Sequence, residues 1–378
     1  QQTEDGPVAE VSVPSCGWTT VTPSAGAAES QPGRRVTATD AALENELIRV
    51  EFGEQGEITS IFDKESNREW AVGPCNELRM YKDQPTKFDA WDIDSMYENE
   101  PVELTEPAEI EPLCSGPLVA RLRIKRRVGE SSMTQVVSLR AGSRRVDFET
   151  VMDWQERHKL LKVAFPVDLH AHEAVHEIQF GHIARPNHRS RPFDKDRFEV
   201  ANQRWTALTE PNRGFAVLND CKYGVNVLGN TINLTLLKSP LAPDQTADRG
   251  RQEFTYSFYA WNGSFAESGV VREGYDLNVP AGVQTGDGGT RSLLGVDAPN
   301  VVVEAVKPAE DGSGDVIVRL YESMRMATRC RLTLDLPVQA ACETNMLEEK
   351  TADVSLDDNA LDLELSPFEI KTLRFSLS

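Results

Sequence analysis

Apolar and polar residues alternate with a period of two along most of this chain of 378 residues. The pattern is clear at residues 48–52, 120–125 and 146–154. Because successive side chains of a strand point to opposite faces, this alternation predicts half-buried antiparallel strands. No window of eleven or more residues has a convincing helical period, and the 21 prolines and 25 glycines separate short apolar runs. The sequence therefore predicts an all-β protein, with a large sandwich as the favoured architecture.

A glycine-rich stretch at residues 282–289 interrupts this pattern before a new strand begins at Val301. It lacks the strand-to-helix context and the Lys-Ser/Thr ending of a phosphate-binding loop. Short strands then recur near residues 316–321, 331–336, 361–365 and 370–377, a spacing typical of an immunoglobulin-like sandwich. We predict an initial strand and linker over residues 1–40, a large β domain over 41–290 and a small C-terminal β-sandwich over 291–378.

The charge balance excludes some classes of partner. Sixty acidic residues against 40 lysines and arginines give a net charge of -20, which repels a phosphate backbone. No apolar run reaches the roughly 20 residues that span a bilayer. Neither nucleic acid nor a membrane is therefore an expected partner. The chain starts at Gln1 with no basic or apolar leader pattern, so we expect a cytoplasmic location and a piece of a longer polypeptide.

The six cysteines lie far apart without a Cys-x-x-Cys pair, and we expect buried free thiols. The segment 172–176 reads His-Glu-Ala-Val-His, a literal match to the zinc-protease signature. That chemistry needs both imidazoles on one helical face, whereas alternating residues flank the segment and predict strands or a bend. In a strand, His172 and His176 would lie about 13 Å apart, too far for one zinc ion. We interpret the match as accidental and keep a zinc peptidase using His172, Glu173 and His176 only as a third hypothesis.

Residues 83–94 combine four aspartates with Phe88 and Trp91 in a loop-like stretch. An aromatic ring can stack on the apolar face of a sugar while a carboxylate accepts hydrogen bonds from its hydroxyl groups. A solvated acidic loop with a core tryptophan is the alternative. Paired aspartates could also be a glycosidase acid and base, provided that they lie roughly 5 to 10 Å apart. Residues 179–186 and 237–251 are two further polar loops that leave strands, and 219–224 predicts a turn.

Several segments in the same order carry a resemblance to a known family. They are Leu43–Phe52, Asp89-Ala90-Trp91-Asp92, Asp153-Trp154 with His158-Lys159, Glu177–His182, Arg197–Val200, Arg204-Trp205, Leu218–Gly224, Pro243-Asp244 with Asp248-Arg249-Gly250, and Glu253–Tyr256. Together they resemble the C-terminal half of α-mannosidases of glycoside hydrolase family 38, in its cytosolic and bacterial branch. The resemblance extends over residues 8–375, nearly the whole chain.

The resemblance implies a large mutarotase-like β-supersandwich followed by a small β-sandwich. It also implies that an N-terminal α/β barrel, which carries the zinc ion and the nucleophilic aspartate in family members, is absent from this chain. We therefore expect no catalytic residue, metal ligand or cofactor here. The expected partners are an α-mannoside glycan and the barrel of the same polypeptide. The positions implied to face the glycan pocket are Asp89, Trp91, Asp92, Lys238, Asp244 and Arg249.

The leading functional hypothesis follows from this resemblance. The chain would form the structural and pocket-completing C-terminal part of an α-mannosidase that removes terminal α-mannose with retention, and it would be inactive alone. The alternative is a stand-alone carbohydrate-binding module that uses the loop at residues 83–94.

Overall fold

The structure is a computed structural model, and it describes residues 1–22 and 35–377. Almost all of their regular structure is β-strand, which confirms the all-β prediction. In chain order the first described strands are β1 (Gln2–Thr3), β2 (Gly6–Pro7), β3 (Gly17–Thr19), β4 (Thr37–Ala38), β5 (Ala42–Glu44), β6 (Ile48–Phe52), β7 (Ile58–Asp63), β8 (Arg68–Glu69), β9 (Glu77–Lys82), β10 (Pro101–Val102), β11 (Ala108–Cys114), β12 (Val119–Val128), β13 (Ser131–Arg140), β14 (Arg145–Trp154), β15 (Lys159–Pro166) and β16 (Glu173–Ile178). They are followed by β17 (Gly181–Pro186), β18 (Val200–Ala201), β19 (Trp205–Glu210), β20 (Arg213–Asn219), β21 (Gly224–Leu228), β22 (Thr231–Lys238), β23 (Gly250–Asn262), β24 (Thr290–Ser292), β25 (Leu294–Val296), β26 (Val301–Pro308), β27 (Val316–Glu322), β28 (Thr328–Leu334), β29 (Val338–Thr344), β30 (Lys350–Val354), β31 (Ala360–Leu365) and β32 (Ile370–Leu377).

Helices are short. The α-helix α1 spans Val270–Asn278, and 3-10 helices span Tyr97–Asn99, Pro192–Arg197 and Phe265–Glu267. The sequence did not predict α1 because nine residues give only two and a half turns, too few for a clear helical period. Within residues 1–22 and 35–377, no helix combines the length and the apolar character needed to cross a membrane.

Contacts divide the described residues into two compact units. The large unit comprises those within Gln1–Ala9, Gly26–Glu177 and Ile183–Pro280. The small unit comprises those within Glu10–Ala25, Ile178–His182 and Ala281–Ser378. The domain limits at residues 40 and 290 stay a prediction.

Three extended sheets build the large unit. A five-stranded sheet has the order β4-β5-β6-β7-β8, and a six-stranded sheet has the order β10-β9-β15-β22-β21-β18. A nine-stranded sheet has the order β11-β12-β13-β14-β23-β20-β19-β16-β17. One core joins their apolar faces, since the ring of Phe148 on β14 lies 6.0 Å from that of Phe165 on β15. The apolar residues of the alternating pattern therefore form the interior of a sandwich.

The hairpin of β6 and β7 illustrates how the sequence sets local structure. Its inward residues Ile48, Val50 and Ile61 are fully buried. Gly56 in the turn has φ +80°, and a Cβ there would lie 2.6 Å from a side-chain carbon of Ile124 on β12. Only glycine fits this turn without moving the neighbouring sheet.

The outward face of the six-stranded sheet contains a buried ion pair. Lys162 on β15 is fully buried, and its Nζ lies 2.5 Å from Glu199 Oε2 and 2.6 Å from Thr235 Oγ1. The same ammonium lies 5.4 Å from the centre of the Tyr97 ring. Burial lowers the pKa of Lys162, and the Glu199 carboxylate opposes this shift. Removing either partner would therefore leave a buried charge unpaired.

The small unit has its own core. Its sheets have the orders β25-β28-β31 and β26-β27-β32-β29-β30, and β3 pairs with β24. Val318, Leu332, Leu361 and Phe375 are fully buried in one apolar cluster. Strand β3, near the N-terminus, therefore belongs to this unit, although most residues of the unit lie within Ala281–Ser378.

All six cysteines are free thiols. Cys75 and Cys330 are buried, as expected, whereas Cys16 and Cys221 are exposed. The expectation of buried thiols was wrong for Cys16 and Cys221 because these two residues lie in a turn and a bend outside the alternating strands, and Cys114 and Cys342 are only partly buried.

Candidate functional site

Two loops meet at one edge of the six-stranded sheet. The acidic loop, residues 83–94, follows β9, and the proline loop, residues 239–249, follows β22. Strand β15 lies between β9 and β22 and is antiparallel to both, with Lys159 opposite Lys82 and Leu160 opposite Lys238. The sheet register therefore brings together two loops that are about 150 residues apart in sequence.

Lys238 lies beneath the acidic loop. Its Nζ is 3.2 Å from Oδ2 of Asp83, whose side chain is only 1% exposed. The other oxygen, Asp83 Oδ1, accepts a hydrogen bond of 2.9 Å from the backbone N–H of Asp94. The first and last residues of the loop are thus held at one charge pair.

The same ammonium also holds the middle of the loop. Lys238 donates a hydrogen bond of 2.5 Å to the backbone carbonyl of Asp89 and another to that of Asp92. An ammonium group has three N–H donors and no acceptor. Two of these donors bond to the carbonyls of Asp89 and Asp92, and the charge of the group is paired with Asp83.

The Asp89 carboxylate joins the acidic loop to the proline loop. Its Oδ2 accepts hydrogen bonds from the backbone N–H groups of Leu241, at 2.7 Å, and Ala242, at 3.1 Å. The same oxygen lies 3.1 Å from His158 Nε2. Burial raises the pKa of Asp89, but these hydrogen bonds outweigh burial and the pKa is lowered. Asp89 is therefore ionised at neutral pH.

Two aromatic rings project from the acidic loop. Phe88 is 69% exposed and Trp91 is 75% exposed. Phe88 has φ +57°, a left-handed conformation that is disfavoured by about 1 to 2 kcal/mol for a bulky residue. Its carbonyl accepts hydrogen bonds of 2.8 Å from the N–H groups of Trp91 and Asp92, closing a tight turn. The hydrogen-bonded turn holds both rings outward instead of in a core.

The remaining predicted site residues differ in environment. The exposed Asp92 carboxylate accepts a hydrogen bond from the Ile93 N–H. Asp244 Oδ1 accepts hydrogen bonds from the N–H and the hydroxyl of Thr246, which lower the pKa of Asp244. Arg249 Nη2 donates to Gln155 Oε1 at 2.9 Å, and its Nε is buried without a partner in the part of the chain that the structure describes.

The structure brings Asp89, Asp92 and Lys238 together, because Lys238 contacts the backbone of both aspartates. Within residues 1–22 and 35–377, no hydrogen bond or ion pair links Asp244 or Arg249 to these three. The sequence did not predict the roles of Asp83, Phe88 and His158. The first two lie in the acidic loop that the composition singled out, whereas the place of His158 depends on sheet pairing.

Comparison with known proteins identifies the family. The family described as "Glycosyl hydrolases family 38 C-terminal domain" matches residues 43–246, more than half of the chain. The chain belongs to this family. A second description, "Glycosyl hydrolases family 38 C-terminal beta sandwich domain", matches residues 300–373. The family predicted from the sequence is thereby confirmed.

Curated relatives are longer than this family 38 C-terminal chain. Alpha-mannosidase 2C1 of Homo sapiens is 37% identical over 385 residues, which cover 97% of this chain and 37% of that protein. Alpha-mannosidase G of Dictyostelium discoideum is 35% identical over 359 residues, covering 89% of this chain and 32% of that protein. The chain thus spans about a third of the length of these relatives.

A solved structure shows the same fold. The crystal structure of an alpha-mannosidase from Enterococcus faecalis V583 matches with a TM-score of 0.72 at 20% identity. The match covers 92% of this chain and 43% of that protein. The family 38 β architecture is therefore shared despite low sequence identity.

The His-Glu-Ala-Val-His segment of this family 38 chain is not helical. Residues 173–178 form strand β16, as the alternation predicted. His172 is exposed and, with Glu173 and His188, lines a surface cleft of about 650 Å³. His176 is 2% exposed, and its Nδ1 lies 3.0 Å from Thr206 Oγ1. Since the two imidazoles lie in different environments, they do not form the zinc-protease arrangement.

Metal chemistry has no evident site in the described part of this family 38 chain. Among residues 1–22 and 35–377, no group of three or more histidine, cysteine, aspartate or glutamate side chains is placed to hold a metal ion. The zinc ion that the resemblance implies was assigned to the barrel domain.

Proposed function

We propose that this chain is the C-terminal β part of an α-mannosidase and that the edge formed by the acidic and proline loops completes its glycan pocket. The observation that carries the proposal is the exposed Trp91 on a loop held by Lys238 and Asp89. Membership of family 38 supports the substrate class, since the curated relatives are named alpha-mannosidases. The barrel of the same polypeptide would be the partner domain and would hold the zinc ion. A cytoplasmic location remains part of the proposal.

Trp91, Asp92, Asp244 and Arg249 are the proposed glycan contacts. The Trp91 ring offers an exposed apolar face on which a pyranose can stack. The carboxylates of Asp92 and Asp244 lie at the surface and can accept hydrogen bonds from sugar hydroxyl groups. The guanidinium of Arg249 can donate hydrogen bonds to a sugar oxygen. These residues would bind and orient the glycan.

The proton transfers of hydrolysis are assigned to the barrel. A retaining glycosidase needs a nucleophilic carboxylate and a protonated carboxylic acid about 5 Å apart. Asp89 does not suit the acid role, because its pKa is lowered and its carboxylate accepts hydrogen bonds. We therefore expect the 378-residue chain alone to be inactive.

A stand-alone carbohydrate-binding module is the second candidate. The pair of exposed rings, Phe88 and Trp91, on a hydrogen-bonded loop favours it, because such a surface could bind sugar without a barrel. In that case the chain alone would bind methyl α-mannoside, and a polypeptide extended before Gln1 would hydrolyse nothing.

The test is hydrolysis of a chromogenic α-mannoside, with added zinc or cobalt, by the 378-residue chain and by the polypeptide that includes whatever precedes Gln1. Activity only in the longer protein is the expected result. Activity in the short chain would place the reacting groups within it and overturn the proposal. Inactivity of both, with sugar binding by the short chain, would favour the binding module.

Trp91→Ala in the longer protein is expected to raise KM for the α-mannoside about tenfold, which corresponds to the loss of one stacked ring. Stability should not change, because the ring is 75% exposed. Asp92→Ala should raise KM in the same direction. Steady-state kinetics and thermal unfolding measure both effects.

Tyr223→Ala is the matched control, since Tyr223 is an exposed ring of the same unit, 52% accessible, outside both loops. It should leave KM unchanged. Unchanged kinetics in a folded Trp91→Ala protein would remove Trp91 from the pocket.

A further inference from the structure

Lys238 was predicted from the sequence as a glycan contact, but its surroundings assign it a different task. Its side chain is 14% exposed, and its ammonium faces the underside of the acidic loop. Two of its donors bond to the carbonyls of Asp89 and Asp92, and its charge is paired with the buried Asp83 carboxylate. A sugar hydroxyl could reach this largely buried group only by moving the acidic loop that it supports.

The loop that Lys238 holds has little apolar support of its own. Its two aromatic side chains, Phe88 and Trp91, are exposed and Ile93 is only partly buried, so apolar burial contributes little to holding the loop. Phe88 is also in a disfavoured backbone conformation. Charge-assisted hydrogen bonds are the strongest polar contacts available to hold such a loop. Those of the acidic loop converge on the ammonium of Lys238 and the carboxylates of Asp83 and Asp89.

We propose that Lys238 is a positioning residue, which fixes the acidic loop so that Trp91 faces the glycan, and that its ammonium does not contact the glycan. The Asp89 carboxylate has the matching task of fixing the proline loop through the N–H groups of Leu241 and Ala242. This inference rests on the proposed function for its ligand. We call the contacts of Lys238 and Asp89 with the two loops the clamp, and all of its residues belong to the 378-residue chain.

Amide hydrogen exchange on the 378-residue chain tests the clamp without any activity. In Lys238→Met, the amides of Trp91, Asp92 and Asp94 should exchange at least about tenfold faster. The acceptor of the Asp94 amide, Asp83, loses its ion pair, and the turn that the Trp91 and Asp92 amides close loses the ammonium that holds its Asp89 and Asp92 carbonyls. The matched control is Lys125→Met, which changes an exposed lysine of β12 and should leave these amides unchanged. Unchanged exchange in Lys238→Met would overturn the clamp.

Asp89→Asn is the second variant and decides the matter if Lys238→Met does not fold. It removes the charge that Leu241 and Ala242 donate to, so exchange of these two amides should rise by a similar factor. Unchanged exchange at both amides would overturn the role of Asp89 and the clamp with it.

Kinetics of the longer protein test the positioning role. Lys238→Met should raise KM about tenfold with little change in kcat, because the substitution weakens glycan binding and leaves the reacting groups unchanged. In a background that carries both Trp91→Ala and Asp92→Ala, the same substitution should have almost no further effect, since Lys238 acts through the placement of these two residues. Additive effects would show that Lys238 contacts the glycan and would overturn the inference.

The two experiments separate the two failures. If the longer protein has no α-mannosidase activity, the proposed function fails and the glycan-facing role of Trp91 fails with it. Faster exchange in Lys238→Met would then still establish the clamp, and unchanged exchange would remove it.

Discussion

Replacing Lys162 by methionine is expected to lower the free energy of unfolding of the large unit by about 3 to 5 kcal/mol. The substitution leaves the Glu199 carboxylate, only 13% exposed, without the ammonium 2.5 Å away. The hydrogen bond from the Thr235 hydroxyl to Glu199 Oε1 would remain, but it carries no charge. A buried charge without its partner loses hydration that nothing replaces.

Urea unfolding followed by tryptophan fluorescence measures this effect. Trp18 lies in the small unit and the other five tryptophans lie in the large unit, so the signal reports mainly on the latter. The matched control is Lys82→Met on β9, because the Lys82–Glu100 pair is a surface pair with both side chains 59% exposed. The control should change stability by less than about 1 kcal/mol. Equal losses in the two variants would contradict the buried-pair argument.

Acid is expected to destabilise the large unit through His176. Burial lowers the pKa of His176 to about 3, and the nearby Arg185 guanidinium acts in the same direction. The unfolded chain, with an ordinary histidine pKa near 6.5, therefore binds one more proton between these two values. Stability from this group is fully present above pH about 6.5 and falls as the pH decreases towards 3. The loss between pH 7 and pH 5 is about 2 kcal/mol, at about 1.4 kcal/mol per pH unit.

Unfolding at pH 7 and pH 5 tests this with two substitutions in one motif. His176→Gln removes the titrating group while keeping a partner for Thr206 Oγ1, so its stability should depend less on pH, by about 2 kcal/mol over this interval. His172→Gln, at an exposed position of the same segment, should retain the dependence of the unchanged chain. The same pH dependence in all three proteins would exclude His176 as the cause.

The strand pattern was predictable because the buried and exposed faces of a half-buried strand give alternating apolar and polar residues in the sequence. Residues 120–125 alternate buried aliphatic side chains with arginine and lysine in β12, as the period of two required. Where one face is not buried the signal fails. Strand β30 was missed because Lys350–Val354 is almost entirely exposed and shows no apolar alternation.

The candidate site was only partly predictable. Its composition drew attention to residues 83–94, since aspartates and aromatic residues together suit a sugar. Composition could not distinguish a ligand contact from a support. Trp91 and Lys238 were treated alike, although one side chain is 75% exposed and the other is held under the loop.

The all-β class and the family could be predicted from the residues alone, because periodicity and ordered motifs are local properties of the chain. The role of each polar residue, in contrast, depends on its neighbours in the folded chain. Asp83, Asp89, His158 and Lys238 come from strand ends that meet because β15 pairs with β9 and β22. Whether a charged group is saturated by its neighbours or open to a ligand depends on those long-range pairings, which spacing along the chain does not encode.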